Sequence, residues 1–457
     1  MRILLVRPPS SPETIGLQHV MICEPLELEY LAAMIPEHQV TIIDLILEKK
    51  SFTDLLATYK PELIGFTGYI THVNIIKNLA SQAKKWSVNS CVTVVGGVHA
   101  EVVPEDFTDI NLDYVVCANG LETFQEIVRA ESQGEPLPTD TGIYRKGKPK
   151  PLKKKTFIAP HPDRDKVARY KKHYYYLFHN PCTLLKTSFG CPFDCSFCFC
   201  REITDHAYFC RPLDDVMVEL ETISDQEIYI VDDNFLVNRE RVLSFCDELE
   251  RRNLKKRFLI YGRADFIAQN RDVIKRFATL GLRAVIVGLE SCRSKDLKQY
   301  HKGNLPSINE EAVATLADCG VDCYATLILG IDWGIAEFKE LKKWLLNLNL
   351  VFINLQPFTP LPGTLMGTIH NEQLRVPRAA YEKWDLAHLV MQPTRLSVAS
   401  YYWQIITLYY SITLRPSAIW SLIRRFGLYE NLQLSVGSSR VTWQYLKKVL
   451  RNLVKTA

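Results

Sequence analysis

The chain has 457 residues, of which 47% are hydrophobic and 23% charged, and this composition excludes a largely disordered or fibrous protein. A formal net charge of +4 gives no general argument for nucleic acid, so no nucleic-acid partner is expected. The length predicts two or three domains. Thirteen cysteines behind an N-terminal segment without signal-peptide features indicate a cytoplasmic protein whose thiols serve metal binding or catalysis rather than disulfides.

Residues 1–135 alternate short apolar runs with helical segments. Such βα alternation predicts a parallel sheet with helices on both faces, a Rossmann-like doubly wound domain. Ligands of these sheets bind beyond the carboxyl ends of the strands. The runs that predict strands are 3–6, 40–45, 63–67, 92–95 and 114–117.

Residues 136–180 are rich in Gly, Pro and Lys. This composition predicts a solvated basic linker between domains, and a polyanion-binding patch is the alternative. Residues 181–365 alternate again, with six βα units. Six units are too few for a closed eight-stranded barrel and predict a partial (β/α)6 barrel, whose chemistry belongs at the carboxyl ends of its strands. The predicted barrel strands are 183–188, 227–231, 258–261, 284–288, 323–329 and 351–356.

Residues 366–457 predict a mainly helical C-terminal region. The segment 396–414 has no charged residue and is long enough for a membrane span. Because its apolar residues recur at helical spacing between polar ones, a helix packed on the core is favoured over a spanning helix. The tail beyond Arg415 is basic, which is typical of a solvated helical face. Contact with an anionic substrate or a membrane surface is the less favoured alternative. Its basic residues are Arg424, Arg425, Arg440, Lys447, Lys448, Arg451 and Lys455.

Three cysteines follow the first predicted barrel strand: Cys191, Cys195 and Cys198. Three thiolates on one loop can hold a four-iron cluster and leave one iron open to a chelating small molecule. A zinc site is the alternative, and it would take its fourth ligand from Cys200, His206 or Cys210.

The spacing C-x3-C-x2-C with Phe197 before the last cysteine resembles the signature of the radical S-adenosylmethionine (SAM) superfamily. The resemblance implies a [4Fe-4S] cluster that binds SAM at its open iron and cleaves it reductively to a 5′-deoxyadenosyl radical. It assigns the later strand ends to the amino group, carboxylate, ribose and adenine of SAM. The residues so assigned are Phe197, Asp232, Asp233, Asn234, Arg263, Glu290, Ser291 and Gly330.

The doubly wound domain before the triplet resembles the superfamily's subgroup with an N-terminal cobalamin-binding-type domain. The Asp-x-His-x-x-Gly motif of other cobalamin proteins is absent, and residues 118–122 read Ala-Asn-Gly-Leu-Glu where the subgroup has Gly-Glu-Gly-Glu-Glu. The positions that the resemblance assigns to cobalamin are Thr67, Gly68, Gly96, Gly97, His99, Gly120 and Glu122.

The leading hypothesis is a cobalamin-dependent methyltransferase that acts on an unactivated carbon of a small molecule or natural product. The alternative is a cobalamin-independent radical dehydratase, epimerase or cyclase, and a non-enzymatic metal scaffold is a third class. Tyr208, Cys210 and Cys292 are hydrogen or proton donors by position only, and each also suits a packing role. An electron donor such as flavodoxin or ferredoxin is the expected partner. Since no cysteine follows Cys323, a single cluster is predicted.

Overall fold

A computed structural model describes residues 1–16, 19–88, 90–139 and 141–454. The N-terminal domain is built on five parallel strands in the order β2-β1-β3-β4-β5. The doubly wound sheet predicted from the sequence is therefore confirmed, with every carboxyl end at one edge. The strands are β1 (Arg2–Arg7), β2 (Gln39–Asp44), β3 (Leu63–Thr67), β4 (Val92–Gly96) and β5 (Tyr114–Val115).

Amphipathic helices cover both faces of this sheet. In α3, the residues Val73, Ile76, Leu79 and Ala80 are buried, and their spacing places them on one face of the helix. The helices are α1 (Leu26–Ala33), α2 (Phe52–Tyr59), α3 (Val73–Ser87), α4 (Val98–Val102) and α5 (Gly120–Gln133).

The second domain is an open barrel of six parallel strands that follow one another in sequence order. The side chains of its strands alternate between two cores, as the period of a strand requires. Ile228 and Ile230 pack against the surrounding helices, whereas Tyr229 belongs to the cluster inside the barrel. The strands are β6 (Cys182–Leu185), β7 (Glu227–Ile230), β8 (Arg257–Gly262), β9 (Leu282–Glu290), β10 (Asp322–Leu329) and β11 (Phe352–Pro357).

Nine helices surround the barrel or follow its strands in the described ranges. They are α6 (Cys200–Ile203), α7 (Leu213–Thr222), α8 (Arg239–Arg251), α9 (Ala264–Gln269), α10 (Arg271–Thr279), α11 (Ser294–Gln299), α12 (Pro306–Asp318), α13 (Ile335–Asn347) and α14 (Leu365–Ile369). Two short antiparallel pairs complete the strands: Met21–Ile22 with Tyr175–Tyr176, and Ser188–Phe189 with Phe209–Cys210.

Strand β6 is an edge of the barrel, and residues from outside the barrel cover it. Glu24 accepts a hydrogen bond from the Leu184 backbone N–H at 2.7 Å, and Arg164 donates to the Leu184 carbonyl at 2.9 Å. The guanidinium of Arg164 also pairs with Glu24 and with Glu219 at 2.6 Å. These contacts satisfy backbone groups that an open edge would leave unpaired. Parts of the predicted linker 136–180 are therefore structural rather than solvated.

Three helices form the C-terminal region: α15 (Val398–Thr413), α16 (Pro416–Phe426) and α17 (Leu428–Val454). In α15, Tyr401, Ile405 and Ile412 are fully buried in the barrel's main core, so the core-packed interpretation of 396–414 is confirmed. Among the described residues, no helix is long and apolar enough to cross a membrane. Of the basic tail residues, Lys455 lies outside the described part of the chain.

Candidate functional site

The three cysteines of the triplet lie on a loop that begins at a glycine. Gly190 has a φ of +74°, a left-handed conformation that glycine adopts readily. A Cβ at this position would also overlap the carbonyl oxygen of Ala207. Cys195 is buried, while Cys191 and Cys198 are half-buried. Only glycine lets the chain turn here and carry all three thiols to one place.

Asp232 fastens the base of this loop. Its Oδ1 accepts hydrogen bonds from the backbone N–H groups of Thr187 at 2.6 Å and Ser188 at 3.0 Å. Its Oδ2 accepts from their hydroxyls at 2.5 Å and 2.7 Å. Burial raises the pKa of Asp232, and the nearby Lys186 and the four donors oppose that shift. The carboxylate that the sequence assigns to SAM thus already has four protein partners.

Asp233 and Asn234, which follow Asp232, differ in their hydrogen bonding. Asp233 accepts from the Gly190 N–H at 2.9 Å and lies 3.7 Å from the Lys186 ammonium. Asn234 is 1% exposed, and within the described residues neither of its amide atoms has a hydrogen-bond partner. Because a buried amide without partners is costly, Asn234 is the polar group of this strand end best suited to a ligand.

Ser196 holds the loop from the other side. Its N–H donates to the Tyr300 carbonyl at 3.1 Å, and its hydroxyl donates to the Gln299 carbonyl at 3.1 Å. Its own carbonyl accepts from the Met366 N–H at 3.1 Å. Phe197 packs edge-on against Tyr300, with ring centroids 5.7 Å apart. The aromatic of the signature therefore stabilises the loop through packing in this structure.

Two cations approach the thiols. The Arg263 guanidinium donates to Cys195 Sγ at 3.7 Å and lies 3.7 Å from the centre of the Phe193 ring. It also donates to the Lys302 carbonyl at 2.7 Å, and the Lys302 ammonium pairs with buried Glu290 at 2.9 Å. Burial raises the pKa of the Cys195 thiol, and the charges of Lys302 and Arg263 oppose this shift.

The other two thiols have different surroundings. Burial raises the pKa of Cys191 to about 11, whereas a hydrogen bond with the Cys200 thiol lowers the pKa of Cys198. Three soft thiol donors beside two cations fit an iron–sulfur cluster, because thiolates are its protein ligands and nearby positive charge stabilises them. In the described ranges, no three His, Cys, Asp or Glu side chains are arranged to hold a single metal ion.

Two further residues assigned to SAM have protein partners of their own. The Ser291 hydroxyl donates to Asp296 at 2.8 Å and accepts from the Arg293 N–H at 3.1 Å. At Gly330 a Cβ would meet the Trp333 indole, and the Gly330 carbonyl accepts from the Tyr401 hydroxyl at 3.0 Å. The SAM contacts of both residues stay predictions.

The three suggested donors fall in two places. Cys210 pairs with Ser188 across the short antiparallel pair, and Tyr208 hydrogen-bonds with both of them. Burial raises the pKa of the Tyr208 hydroxyl. Cys292 instead lies near Glu340, and burial raises its pKa to about 12. The structure therefore brings Tyr208 and Cys210, but not Cys292, to the base of the cluster loop.

The carboxyl edge of the N-terminal sheet offers open glycine backbone. A Cβ on Gly120 would meet no atom within 4 Å, and one on Gly96 would meet nothing closer than Val116 at 3.7 Å. Gly97 has a φ of +94°, and a Cβ there would come within 2.8 Å of Thr67 Oγ1. Backbone that is open at Gly96 and Gly120 fits the close approach of a large planar ligand such as cobalamin.

Other positions assigned to cobalamin already contact protein side chains. His99 is buried, and its Nε2 lies 2.8 Å from Asp106 Oδ2. Asp106 also accepts from the Tyr381 hydroxyl at 3.0 Å, so His99 connects this loop to the C-terminal region. Thr67 donates to Glu27 at 3.2 Å, and at Gly68 a Cβ would press on His72 at 2.9 Å.

Asn119, which departs from the subgroup's usual sequence, forms hydrogen bonds with the backbone of the linker. Its amide donates to the Leu152 carbonyl at 3.0 Å, and its Oδ1 accepts from the Lys154 N–H at 2.7 Å. Glu122 pairs with Lys154 at 3.6 Å, and Lys153 donates to the carbonyl of Glu202 in α6 at 2.6 Å. Helix α4 packs against α6 directly. The ligand edge of the sheet and the cluster loop are therefore neighbours.

Side chains from both domains line an interior space between them. Tyr69 is 58% exposed and Tyr261 is 37% exposed, although burial raises the pKa of each. The nearby Cys23 thiol also contributes to the raised pKa of both tyrosines, and Tyr261 contributes to that of Tyr69. His72 borders this space, and burial lowers its pKa to about 4. Accessible surface on side chains that are surrounded by protein indicates a cavity at the edge of the sheet.

A doubly wound sheet whose ligand edge faces three thiols on a barrel loop defines a radical SAM protein of the cobalamin-binding type. The comparisons with known families agree with this class. Residues 14–128 match the model of the B12 binding domain, and residues 185–345 match that of the Radical SAM superfamily. The chain belongs to the radical SAM superfamily, in the subgroup with an N-terminal cobalamin-binding domain, and it is an enzyme. Its cofactors are a [4Fe-4S] cluster, SAM and cobalamin.

Curated relatives match most of the chain. A hopanoid C-3 methylase of Methylococcus capsulatus is 26% identical over 84% of this chain and 75% of its own length. An uncharacterized methyltransferase of Pyrococcus horikoshii is 28% identical over 80% of this chain and 82% of its own length. An anaerobic magnesium-protoporphyrin IX monomethyl ester cyclase of Rubrivivax gelatinosus is 23% identical over 76% of this chain and 65% of its own.

Two solved structures share the fold. The cobalamin-dependent radical enzyme OxsB, with aqua-cobalamin and SAM bound, aligns with a TM-score of 0.71 at 15% identity, over 97% of this chain and 71% of its own. The radical SAM methyltransferase TsrM of Kitasatospora setae, with cobalamin and a [4Fe-4S] cluster bound, aligns with a TM-score of 0.67 at 16% identity, over 91% and 89%. The predicted fold class is thus confirmed.

The four hydrogen bonds of Asp232 make a testable prediction. In Asp232→Asn, the amide nitrogen would face N–H and O–H groups whose hydrogen bonds the carboxylate now accepts. We therefore expect a loss of about 2–4 kcal/mol in the free energy of unfolding. We also expect less iron per chain, because the loop base would loosen. Thermal unfolding and iron analysis measure both. Asp247→Asn is the control, since Asp247 forms an exposed ion pair with Arg276 at 2.7 Å, and the loss of such a pair costs about 0–1 kcal/mol. Equal stability of the two variants would contradict this role.

Glu101 predicts a pH dependence of stability. Burial raises its pKa from 4.5 to about 7, and Lys153 opposes the shift. Between these values the folded chain keeps a proton that the unfolded chain has released, so this group's contribution to stability is lost as the pH rises through the window. Glu101→Gln should therefore stabilise the cobalamin-free protein by up to about 3 kcal/mol at pH 8 and by little at pH 4. Denaturant unfolding at both pH values measures this. A gain that is equal at both pH values would refute the assignment.

Proposed function

We propose that the protein is a cobalamin-dependent radical SAM methyltransferase that methylates an unactivated carbon of a small molecule or natural product. The main observation behind the proposal is that the ligand edge of the N-terminal sheet lies beside the cluster loop of the barrel. The open glycines Gly96 and Gly120 lie on the sheet edge that packs, through α4 and α6, onto the loop of Cys191, Cys195 and Cys198. Methyl transfer to a carbon radical requires this closeness, because the methyl donor must reach the carbon from which hydrogen was removed.

The bound cofactors supply electron transfer, hydrogen abstraction and the methyl group. The residues of the chain hold these cofactors in position. Asp232, Ser196 and Gly190 fix the loop, and Arg263 and Lys302 place positive charge beside Cys195. Asn234 is a buried amide without a hydrogen-bond partner among the described residues, and it follows Asp233, which bonds to Gly190 of the cluster loop. We assign to it a contact with SAM.

The test is an anaerobic incubation of reduced, cobalamin-loaded protein with SAM that carries a deuterated methyl group. The proposal expects both 5′-deoxyadenosine and S-adenosylhomocysteine, the products of radical cleavage and of methyl donation. Protein without cobalamin should form the first product only. Formation of 5′-deoxyadenosine alone by loaded protein, with unlabelled product from candidate substrates, would contradict methyl transfer.

A second candidate is a radical ring closure that uses no cobalamin. The similarity to the cyclase of Rubrivivax gelatinosus, at 23% identity, supports the ring closure but not the absence of cobalamin. The Tyr208–Cys210 pair beside the cluster loop offers the hydrogen donor that such a reaction requires. In the same incubation this candidate expects substrate turnover without cobalt and without S-adenosylhomocysteine. We rank it second because the match to the B12 binding domain spans residues 14–128.

A further inference from the structure

Helix α17 is apolar on two opposite faces. One face packs on the core, with Gly437, Tyr445 and Val449 buried. The other face carries a second apolar stripe at helical spacing, and each of its residues is more than half exposed. Helical geometry places this stripe opposite the core face and extends it over about 30 Å. The stripe consists of Tyr429, Leu432, Val436, Trp443 and Leu450.

The preceding helices expose further large apolar side chains. In α16, Trp420 is 69% exposed, and in α15, Trp403 is 51% exposed. Scattered apolar residues on a surface are ordinary, but a periodic stripe with two tryptophans on neighbouring helices is typical of an interaction surface. Its position beyond the barrel distinguishes it from the cofactor site.

The same segment is strongly basic. Residues 416–454 contain six Lys or Arg against Glu430 alone. In the part of the chain that the structure describes, Arg440, Lys447 and Arg451 form no salt bridge, and helical spacing places them along one border of the stripe. The Lys447 ammonium lies 5.6 Å from the centre of the Trp443 ring. An indole beside a long basic side chain suits the boundary between headgroups and acyl chains.

We propose that α16 and α17 dock the protein on the surface of an anionic phospholipid bilayer, with the stripe in the headgroup–acyl boundary and the basic border on the lipid phosphates. A symmetric dimer through the stripe is disfavoured, because it would bring the unpaired basic borders of two copies together. The inference goes beyond the proposed reaction and does not depend on it.

The test is sedimentation of the cluster-containing full chain with vesicles of phosphatidylcholine alone or with about 30% phosphatidylglycerol. We expect binding to the anionic vesicles that salt weakens, and little binding to neutral ones. The variant L432S/W443S/L450S should lower the partition coefficient at least about tenfold, since it removes most of the stripe's apolar area. The variant R440A/K447A should lower it about tenfold on anionic vesicles and leave neutral vesicles unaffected.

The matched control is Ile110→Ser, because Ile110 is 97% exposed in the N-terminal domain and should not affect partition. Circular dichroism and sedimentation velocity on every variant verify folding and oligomeric state. Failure of the wild-type chain to bind anionic vesicles would overturn the proposal. So would binding that the stripe variant retains, or a wild-type dimer that the stripe variant converts to a monomer.

Discussion

Cys195→Ala is expected to abolish the iron–sulfur cluster. Cys195 is the most buried thiol of the triplet and the one beside Arg263 and Lys302. Its removal would leave the cluster with two protein ligands. A four-iron cluster normally needs more protein ligands than that. We expect iron in the anaerobically reconstituted variant to fall from about four per chain to a small fraction of that number. The broad visible absorbance of the cluster and all SAM cleavage should disappear with it.

Cys319→Ala is the control for this experiment. Cys319 is a half-buried thiol at the end of α12, outside the cluster loop, and its loss should leave iron content and SAM cleavage unchanged. Equal loss of iron in both variants would indicate general destabilisation. Retention of full iron by Cys195→Ala would contradict the assigned ligands. Because the metal content is measured directly, the result does not depend on knowing the substrate.

Gly120→Phe is expected to prevent cobalamin binding while the fold stays intact. A Cβ at Gly120 would meet no protein atom within 4 Å, so a side chain can start here without a backbone clash. It would fill the space at the sheet edge that we assign to cobalamin. We expect the affinity for cobalamin to fall at least about tenfold, which corresponds to about 1.4 kcal/mol or more. Cobalt per chain after desalting and the spectrum of bound cobalamin measure this.

Gly134→Asn is the matched control at the other end of α5. Gly134 also has open space around it, and its φ of +69° is a conformation that asparagine tolerates. This variant should bind cobalamin as the wild type does. If Gly120→Phe also bound cobalamin normally, the cofactor would lie elsewhere. If it lost the cluster as well, the substitution would have disturbed the adjacent loop rather than the cobalamin site alone.

The fold was largely predictable from the sequence. The five predicted strands of the first sheet and the six of the barrel all exist, because buried parallel strands are short, apolar and separated by helical segments. The fifth strand of the first sheet is shorter than predicted: 114–117 was expected, and Tyr114–Val115 is observed. The last predicted residue, Cys117, instead donates to the Gly142 carbonyl at 2.8 Å. Local spacing of apolar residues does not reveal pairing with a distant segment of the chain.

The roles of site residues were less predictable. Motif position assigns Asp232 to SAM, yet its four donors belong to Thr187 and Ser188, which are more than forty residues away in the chain. Lys302 and Phe193, which surround Arg263, were missed altogether. A lysine in a short turn and a phenylalanine inside the cysteine motif are both common in loops. Only the three-dimensional structure reveals that they meet at Cys195.

One cluster and one cobalamin are expected to act together in this chain. Metal analysis and the visible spectrum of the anaerobically reconstituted protein, supplied with cobalamin and then desalted, measure both cofactors. We expect about four irons and about one cobalt per chain. About eight irons would reveal a second cluster that the cysteines do not support, and stoichiometric iron without cobalt would contradict the cobalamin-dependent reaction.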